Sequence, residues 1–184
     1  MGKLIYSITT SVDGFVSDRN GNIEFTTPSE EVLACFNDIL HNVGTFLFGR
    51  RMYETMAVWD TLPTDGQSEG MNDFVKLWRA AKKTVYSTSL SEVTTANTTL
   101  ESMFNPESIK KLVLESDKDF NIGGPHLAAE AIKAGIVDEY HQFIAPIILG
   151  DGNYWLPKHV ETKLELINLQ KFDNGTVCLH YKKI

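Results

Sequence analysis

Cysteine is scarce in this sequence of 184 residues, which contains only Cys35 and Cys178. Both stand in apolar surroundings, and neither belongs to a Cys-x-x-Cys motif. A disulfide framework is therefore not expected, and a reducing compartment is favoured. A chain of this size can bury a full apolar core without metals or disulfides, so the expectation is a single domain over residues 1–184.

Long apolar runs are missing as well. The chain enters strand-like sequence directly at Leu4, with no apolar stretch of signal-peptide or membrane-spanning length before it. With 6 Pro and 13 Gly, the composition is that of an ordinary globular protein and excludes a disordered or fibrous chain. A cytoplasmic protein without a membrane partner is expected.

Positive charge is in deficit, because 17 Lys and Arg face 24 Asp and Glu for a net charge of −7. A protein that binds nucleic acid needs a clustered basic surface, so no nucleic-acid partner is expected and any anion site must be local. The histidines are scattered and form no His-x-x-x-His motif, so no metal site is predicted. They are His41, His126, His141, His159 and His180.

Apolar runs of strand length alternate with amphipathic stretches, which predicts an α/β domain. Strands are predicted at residues 4–9, 45–48, 84–87, 120–122 and 137–145, and helices at 49–54, 72–81, 106–115 and 125–134. Residues 163–172 and 176–183 flank an Asp-Asn-Gly turn and predict a terminal antiparallel hairpin.

Another helix is predicted to start near residue 27. Thr27 is expected to cap it, Pro28 suits the first helical position, and Glu30 completes a capping box. Gly44 is the expected stop.

Two strand-to-helix passages are candidates for an anion site. Gly49 and the arginines Arg50 and Arg51 follow a predicted strand, and Gly123-Gly124 follow another. Helix starts present unpaired N–H groups and the positive end of the dipole, which bind phosphates, and arginines add bidentate donors. The competing interpretation is that these glycines only allow tight turns while the arginines are solvated.

A third candidate lies directly after the first strand, where Ser11 and Asp13 offer a hydroxyl and a carboxylate. Open α/β sheets bind ligands at the carboxyl ends of their strands. The alternative is that Asp13-Gly14 is an ordinary turn. Trp59, Trp78 and Trp155 are more typical of packing than of a stacking platform.

The order of these pieces resembles the dihydrofolate-reductase superfamily. The similarity is strongest to the branch that includes the reductase domain of bifunctional riboflavin-biosynthesis proteins and its stand-alone bacterial relatives. It extends over nearly the whole chain, and it depends on the order of several short motifs. These lie at residues 11–14, 48–54, 85–88, 122–127, 135–139 and 146–152.

The resemblance implies a three-layer fold, with a mostly parallel twisted sheet, flanking helices and a C-terminal antiparallel hairpin. It also implies that NADPH lies across the strand ends. The residues that the resemblance then assigns to the cofactor are Gly49, Arg50 and Arg51 at its phosphates, Ser87 and Thr88 at the 2′-phosphate and adenosine ribose, Gly123, Gly124, His126 and Leu127 at the pyrophosphate, and Thr9 and Val16 beside the nicotinamide.

One departure concerns the substrate. Dihydrofolate reductases carry an acidic residue early in the first long helix, and alignment puts Val32 or Leu33 there. Reduction of dihydrofolate itself is therefore not expected. In the riboflavin branch the segment around Ser11 and Asp13 lies near the substrate, so these two are expected to contact it, with Trp59 as a third wall.

The implied reaction is hydride transfer from NADPH to a C=N or C=O carbon of a small heterocyclic, aminopyrimidine or pterin-like substrate. Asp13 or a bound water is the expected proton donor. The alternatives are a non-catalytic NADP-binding or regulatory protein on the same scaffold and a flavin- or drug-modifying oxidoreductase, which would carry a yellow cofactor. The resemblance also implies a homodimer that forms through the sheet edge or the C-terminal hairpin.

Overall fold

The computed structural model describes all 184 residues. Its ten strands are β1 (Leu4–Thr10), β2 (Phe15–Ser17), β3 (Val43–Gly49), β4 (Lys82–Tyr86), β5 (Thr98–Glu101), β6 (Asp119–Gly123), β7 (Glu139–Ile144), β8 (Asn153–Tyr154), β9 (Leu164–Lys171) and β10 (Val177–Lys183). Its five α-helices are α1 (Glu30–Leu40), α2 (Arg50–Met56), α3 (Glu69–Ala80), α4 (Pro106–Glu115) and α5 (Pro125–Lys133). Short 3₁₀ turns lie at Glu24–Thr26 and Ala57–Asp60.

Eight strands form one sheet in the order β5-β4-β3-β6-β1-β7-β10-β9, while β2 and β8 form a separate small ribbon. From β5 through β4, β3, β6 and β1 to β7, each strand is parallel to the next. Strand β10 pairs antiparallel with both β7 and β9. The predicted fold class is therefore confirmed: a mostly parallel sheet, helices on both faces and a terminal antiparallel hairpin.

Helices cover the sheet on two sides. Apolar residues of α1 and α3, such as Leu33 and Trp78, pack on Phe46 and Phe48 of β3. On the opposite face, α4 and α5 pack on β1, β6 and β7 in a larger core that includes Leu47 of the same strand β3. Side chains alternate between faces along a strand, so one strand serves both cores. No helix has the length and apolar character needed to cross a membrane.

The predicted cap of α1 is wrong by two residues. Ser29, not Thr27, is the N-cap, and its side chain accepts a hydrogen bond from the Val32 amide at 3.4 Å. Thr27 instead ends the preceding 3₁₀ turn, so Pro28 lies before the helix and Glu30 is its first residue. Ser29 has the extended backbone that is typical of an N-cap residue, with φ of −70° and ψ of 166°.

The predicted stop at Gly44 is also wrong. Helix α1 ends at Leu40, and Gly44 already belongs to β3. A Cβ at Gly44 would lie 2.7 Å from Cβ of Lys118, so this glycine permits a close approach between neighbouring segments. Three strands were not predicted, namely β2, β5 and β8, and they have only 3, 4 and 2 residues, too few to display an alternating pattern.

Charged groups hold the amino terminus against the sheet. Lys3 Nζ lies 2.6 Å from Oε1 of Glu139, and the Lys3 amide donates to Asp119 at 2.9 Å. The neighbouring His141 and then Lys3 lower the pKa of Glu139 from 4.5 to about 2. Glu139 therefore stabilises the fold as a carboxylate at neutral pH, and that contribution is lost as the pH falls from about 4.5 to about 2.

We expect Glu139→Gln to unfold more easily at pH 7 and to lose less stability than the parent chain between pH 5 and pH 3. The difference should be about 2 kcal/mol, less than the full pKa shift implies, because half-exposed Lys3 is screened by water. Urea unfolding at several pH values measures it. Glu165→Gln, at an exposed position on β9, is the control. A variant whose stability falls with acid as steeply as the parent's would contradict this role of Glu139.

Candidate active site at the carboxyl edge of the sheet

The parallel pairing of β3 with β6 brings the two predicted anion sites together. Phe48 of β3 pairs with Gly123 of β6, so Gly49 and Gly124 leave the sheet side by side and lead directly into α2 and α5. Gly124, where α5 begins, packs closely against α2, because a Cβ added to Gly124 would lie 3.2 Å from Cβ of Met52. Two helix N-termini therefore open on the same edge of the sheet.

These two helices begin differently from the others. Ser29, Ser68 and Asn105 cap α1, α3 and α4 with a side-chain hydrogen bond. The N-caps of α2 and α5 are Gly49 and Gly124, which have no side chain to donate or accept. The first-turn N–H groups of α2 and α5 thus lack a side-chain acceptor, and such groups bind anions.

Glycine occupies three positions at this edge, and the physical reason differs from one position to the next. A Cβ at Gly123 would lie 2.6 Å from the Phe48 ring, so packing requires glycine there. Gly124 has φ of 86°, a left-handed conformation that favours glycine. Gly49 has an ordinary φ of −79°, and its added Cβ would meet nothing closer than 4.0 Å. The fold does not require glycine at position 49, which leaves its backbone open to a ligand.

Exposed basic side chains lie at the start of α2. Arg50 pairs with Glu54 at 3.7 Å, one turn along the same helix, whereas Arg51 forms no ion pair. On α5, His126 is exposed and Leu127 is half-buried, with its Cβ 4.0 Å from the position that a Gly49 side chain would occupy. Arg51 is thus the cationic side chain here that is free for a phosphate.

Ser87 and Thr88 follow the next strand, β4, at the same edge. The Ser87 hydroxyl accepts from the amides of Ser89 and Leu90 at 3.2 and 3.0 Å and so shapes the turn. Beside it, a pocket of about 300 Å³ separates β4 and β5 from α4, with Tyr86 and Glu101 in its lining. Burial, and then the nearby Glu101 carboxylate, raise the pKa of Tyr86 to about 12, so its hydroxyl stays protonated.

Ser11 and Asp13 lie past the end of β1 and bind a neighbouring loop. The Asp13 carboxylate accepts from the Leu149 and Gly150 amides at 3.1 and 2.7 Å. The buried Ser11 hydroxyl accepts from the Phe15 amide at 2.9 Å. The Ser11 hydroxyl, followed by the two loop amides, lowers the pKa of Asp13 to about 2. Asp13 is therefore ionised at neutral pH and holds the loop through these two amides.

Apolar side chains that the sequence analysis did not single out surround this loop. Val12 and Ile148 are 59% and 73% exposed, and the Val12 amide donates to the Ile147 carbonyl at 2.8 Å. Tyr154 of β8 packs edge-on against Phe15 with ring centroids 5.8 Å apart. The sequence signals for Val12 and Ile148 were their places in the family motifs at residues 11–14 and 146–152. Exposed apolar groups beside a polar loop are typical of a binding surface.

The remaining predicted residues divide between this edge and the core. Thr9 is half-buried near the end of β1, and Val16 of β2 is buried in the larger core. Trp59 packs edge-on against Phe74 at 4.7 Å, so its predicted part in the substrate site stays a prediction. Val32 and Leu33 of α1 are both buried. Neither can supply the carboxylate that dihydrofolate reductases carry there.

Known proteins share this architecture. A putative riboflavin biosynthesis protein of Shewanella sp. PV-4 superposes with a TM-score of 0.77 at 18% identity, over 99% of each chain. A pyrimidine reductase-like protein of Corynebacterium diphtheriae has a TM-score of 0.69 at 20% identity, over 100% of this chain and 92% of its own. At these identities the comparisons establish the fold.

Sequence comparison agrees with the structures. The uncharacterized protein YyaP of Bacillus subtilis (strain 168) is 26% identical over 184 residues, which cover 97% of this chain and 94% of YyaP. The sequence model of the RibD C-terminal domain matches residues 2–121 and 120–178. These matches include both glycine-opened helices and the Asp13 loop. The chain therefore belongs to the RibD C-terminal domain family.

Proposed function

We propose that this chain is an NADPH-dependent reductase that transfers a hydride to a small heterocyclic substrate of the aminopyrimidine or pterin type. Membership of a reductase domain family supports an oxidoreductase of the riboflavin-pathway kind. One structural relative, from Thermotoga maritima, is a diaminohydroxyphosphoribosylaminopyrimidine deaminase/5-amino-6-(5-phosphoribosylamino)uracil reductase, with a TM-score of 0.67 and 13% identity; this chain covers 57% of it. The second half of that name, an aminouracil reductase, is the basis for the substrate class that we propose.

The observation that carries the proposal is the pair of uncapped helix starts. Of the five α-helices, only α2 and α5 lack a side-chain N-cap, and these two open next to each other at the carboxyl edge. A dinucleotide carries two linked phosphates, and adjacent N-termini offer them N–H donors and favourable dipoles. Glycine at both N-caps leaves these N–H groups accessible to an anion, whereas a side chain closes the other three helix starts.

The residues present fit such a cofactor. Gly49 and Gly124 leave the backbone accessible, Arg51 is available for a phosphate, and Tyr86, the residue before Ser87, lines a pocket of about 300 Å³. When bound, the cofactor supplies the hydride. The protein holds the cofactor and the substrate close together in a fixed orientation. Proximity of that kind can lower the activation barrier by roughly 7–11 kcal/mol.

The preference for the phosphorylated cofactor depends on the adenosine end. Arg50, Arg51, Ser87 and Thr88 offer cationic and hydroxyl groups, which suit a 2′-phosphate. Glu101 lines the same pocket as Tyr86, and a carboxylate is the group that NAD sites use. NADH is therefore the proper comparison for NADPH in every assay.

Substrate recognition is assigned to the edge between β1 and β7. Asp13 holds the 149–150 loop in place, and Val12, Ile148 and Tyr154 provide an apolar surface for a planar ring. Since the pKa of Asp13 lies near 2, a water molecule rather than Asp13 is the proton donor that we propose. Asp13 then acts by positioning the loop, and Ser11 shapes the turn before it.

The buried Val32 and Leu33 also favour a second candidate function. Without a carboxylate at positions 32 and 33 of α1 to bind a pterin ring, the same edge suits a non-catalytic NADP-binding or regulatory protein. Cofactor binding is common to both candidates. Only turnover of a substrate separates them.

A homodimer is the assembly that we propose. Strand β9 is an edge of the large sheet, and Leu166, Ile167 and Leu169 on it are each about half exposed. An apolar edge strand of this kind is readily covered by a second copy. A monomeric mass in sedimentation velocity at micromolar concentration would contradict it.

Both cysteines are free thiols, in keeping with the proposed cytoplasmic location.

Turnover is tested by the loss of NADPH absorbance with a panel of pterins and of aminopyrimidine ribose and ribitol phosphates. We expect oxidation of NADPH with at least one aminopyrimidine, and slower oxidation of NADH. Purified protein without a yellow colour excludes the flavin alternative. Tight NADPH binding with no turnover of any compound would support the non-catalytic candidate and overturn the reductase.

Gly49→Ala tests the cofactor site without disturbing the fold. The added methyl group meets nothing closer than 4.0 Å, so the fold should be kept, with only a small fall in melting temperature because alanine is a poorer N-cap than glycine. It would nevertheless occupy space that we assign to a phosphate, so the Kd for NADPH should rise at least about tenfold, or about 1.4 kcal/mol. Titration of NADPH fluorescence measures it. Gly70→Ala on α3 is the matched control, and equal affinities for both variants would refute the assignment.

Asp13→Asn tests the role of the loop. We expect the KM for the substrate to rise about tenfold while the Kd for NADPH is unchanged, because the loop amides lose a charged acceptor. Between pH 5 and pH 8 the profile of kcat should keep its shape, since the pKa of Asp13 lies near 2. Asp18→Asn, which alters a carboxylate that binds two amides of its own turn, is the control. Loss of an ionisation from that profile would instead make Asp13 the proton donor.

A further inference from the structure

Sheet pairing brings together two histidines and a glutamate that the sequence keeps apart. In the antiparallel pairing of β7 with β10, His141 lies directly opposite His180, and Glu139 precedes His141 by two residues on the same face. The two imidazole rings stack with centroids 4.0 Å apart and planes 19° from parallel. One potential ligand atom of each residue lies within 4.8 Å of those of the other two.

The glutamate carboxylate is oriented so that one oxygen faces both rings. Lys3 Nζ holds Oε1 at 2.6 Å. The other oxygen, Oε2, lies 3.1 Å from Nε2 of His180 and 3.9 Å from Nε2 of His141. Metal sites commonly use such outer contacts to fix the ligating carboxylate, and here Lys3 is the outer contact.

The rest of the fold gives these rings no other partner. The hydrogen bond between His180 and Glu139 is the only one that either imidazole makes. The rings also have a route to solvent, since the His141 side chain is 9% exposed and that of His180 is 22% exposed. Two neighbouring imidazole rings with one shared carboxylate are thus poorly explained as packing alone.

We propose that Glu139, His141 and His180 form a binding site for a divalent transition-metal ion, of which Zn²⁺ is the ordinary occupant. Imidazole nitrogens and a carboxylate oxygen are the donors that Zn²⁺ and its neighbours Co²⁺ and Ni²⁺ prefer. Bond lengths of about 2.0–2.2 Å place tetrahedral ligand atoms about 3.4 Å apart. The carboxylate oxygen lies 3.1 and 3.9 Å from the two ring nitrogens, which brackets that value. The ligand atoms of the two histidines lie within 4.8 Å of each other, so the stacked rings must turn toward a common point to close the site.

The remaining coordination positions face a pocket. It has a volume of about 310 Å³, lies between α1 and the strands β7, β10 and β9, and is lined by His141, His180, Cys35 and Asp38 among others. Three protein ligands with open positions are typical of metal sites that also bind water or a small anion. The pocket supplies the entry path that such a site needs.

This site is separate from the carboxyl edge. Glu139 is the first residue of β7, whereas Ile144 at the other end of that strand pairs with Thr10 beside the Asp13 loop. Five residues of extended strand span about 16 Å. The metal proposal therefore stands independently of the proposed reductase, and its test requires only the metal.

The test is titration of the chelator-stripped full chain with Zn²⁺ against a chromophoric chelator at pH 7.5. We expect one ion per chain and a higher melting temperature with Zn²⁺, because binding to the folded state stabilises it. His141→Ala, His180→Ala and Glu139→Gln should each weaken Zn²⁺ binding at least about tenfold. His41→Ala, which removes an exposed histidine at the end of α1, is the matched control and should bind like the parent.

Two results would overturn the proposal. One is the absence of saturable binding, or an unchanged affinity in His180→Ala, whose half-buried position makes it the variant expected to remain folded. The other is loss of the ion in Cys35→Ser with retention in the histidine variants, which would place it on the two thiols of the pocket, Cys35 and Cys178. Co²⁺ absorption distinguishes these, since thiolate ligands add a charge-transfer band that imidazole and carboxylate lack.

Discussion

The pairing of β3 with β6 is the constraint on which this structure depends. These strands are distant in sequence, yet they lie side by side in parallel with Phe48 opposite Gly123. The Phe48 ring occupies the space that a side chain at Gly123 would need, 2.6 Å from the missing Cβ. The same ring stacks against Phe46 and Trp78, which ties the glycine turn to the aromatic core under α3. Packing in the core thus sets the position of two helix starts at the surface.

The caps divide the helices into two groups with different purposes. Helices α1, α3 and α4 satisfy their first N–H groups with Ser29, Ser68 and Asn105, which makes those ends structurally self-sufficient. Helices α2 and α5 start from glycines and leave theirs unsatisfied by side chains. Glycine is poorer than serine or asparagine as an N-cap by only roughly a few tenths of a kcal/mol, so these starts cost the fold little. They are the two helix starts at which we propose that the phosphates bind.

The two ends of β7 lie beside the two different sites that we propose, the substrate edge and the metal site. At its carboxyl end, the sheet leads into the loop held by Asp13, where apolar side chains lie exposed. At its amino end, antiparallel β10 turns the sheet mixed and aligns His180 with His141. A parallel neighbour would have joined the two strands in a different register. The terminal hairpin, which closes the fold, is therefore also what assembles the second cluster.

Much of the architecture followed from the sequence alone, because periodicity and turn residues act locally. The α/β class, the terminal hairpin and the helices after Gly49 and Gly124 were all predicted in this way. The cap at Ser29 was missed because the capping box and Pro28 favoured Thr27, which instead ends a short 3₁₀ turn. The strands β2, β5 and β8 were missed because they are formed by pairing rather than by pattern. Only the tertiary structure decided the hydrogen bonds of Asp13 and the meeting of Glu139, His141 and His180, since both depend on register between strands far apart in the chain.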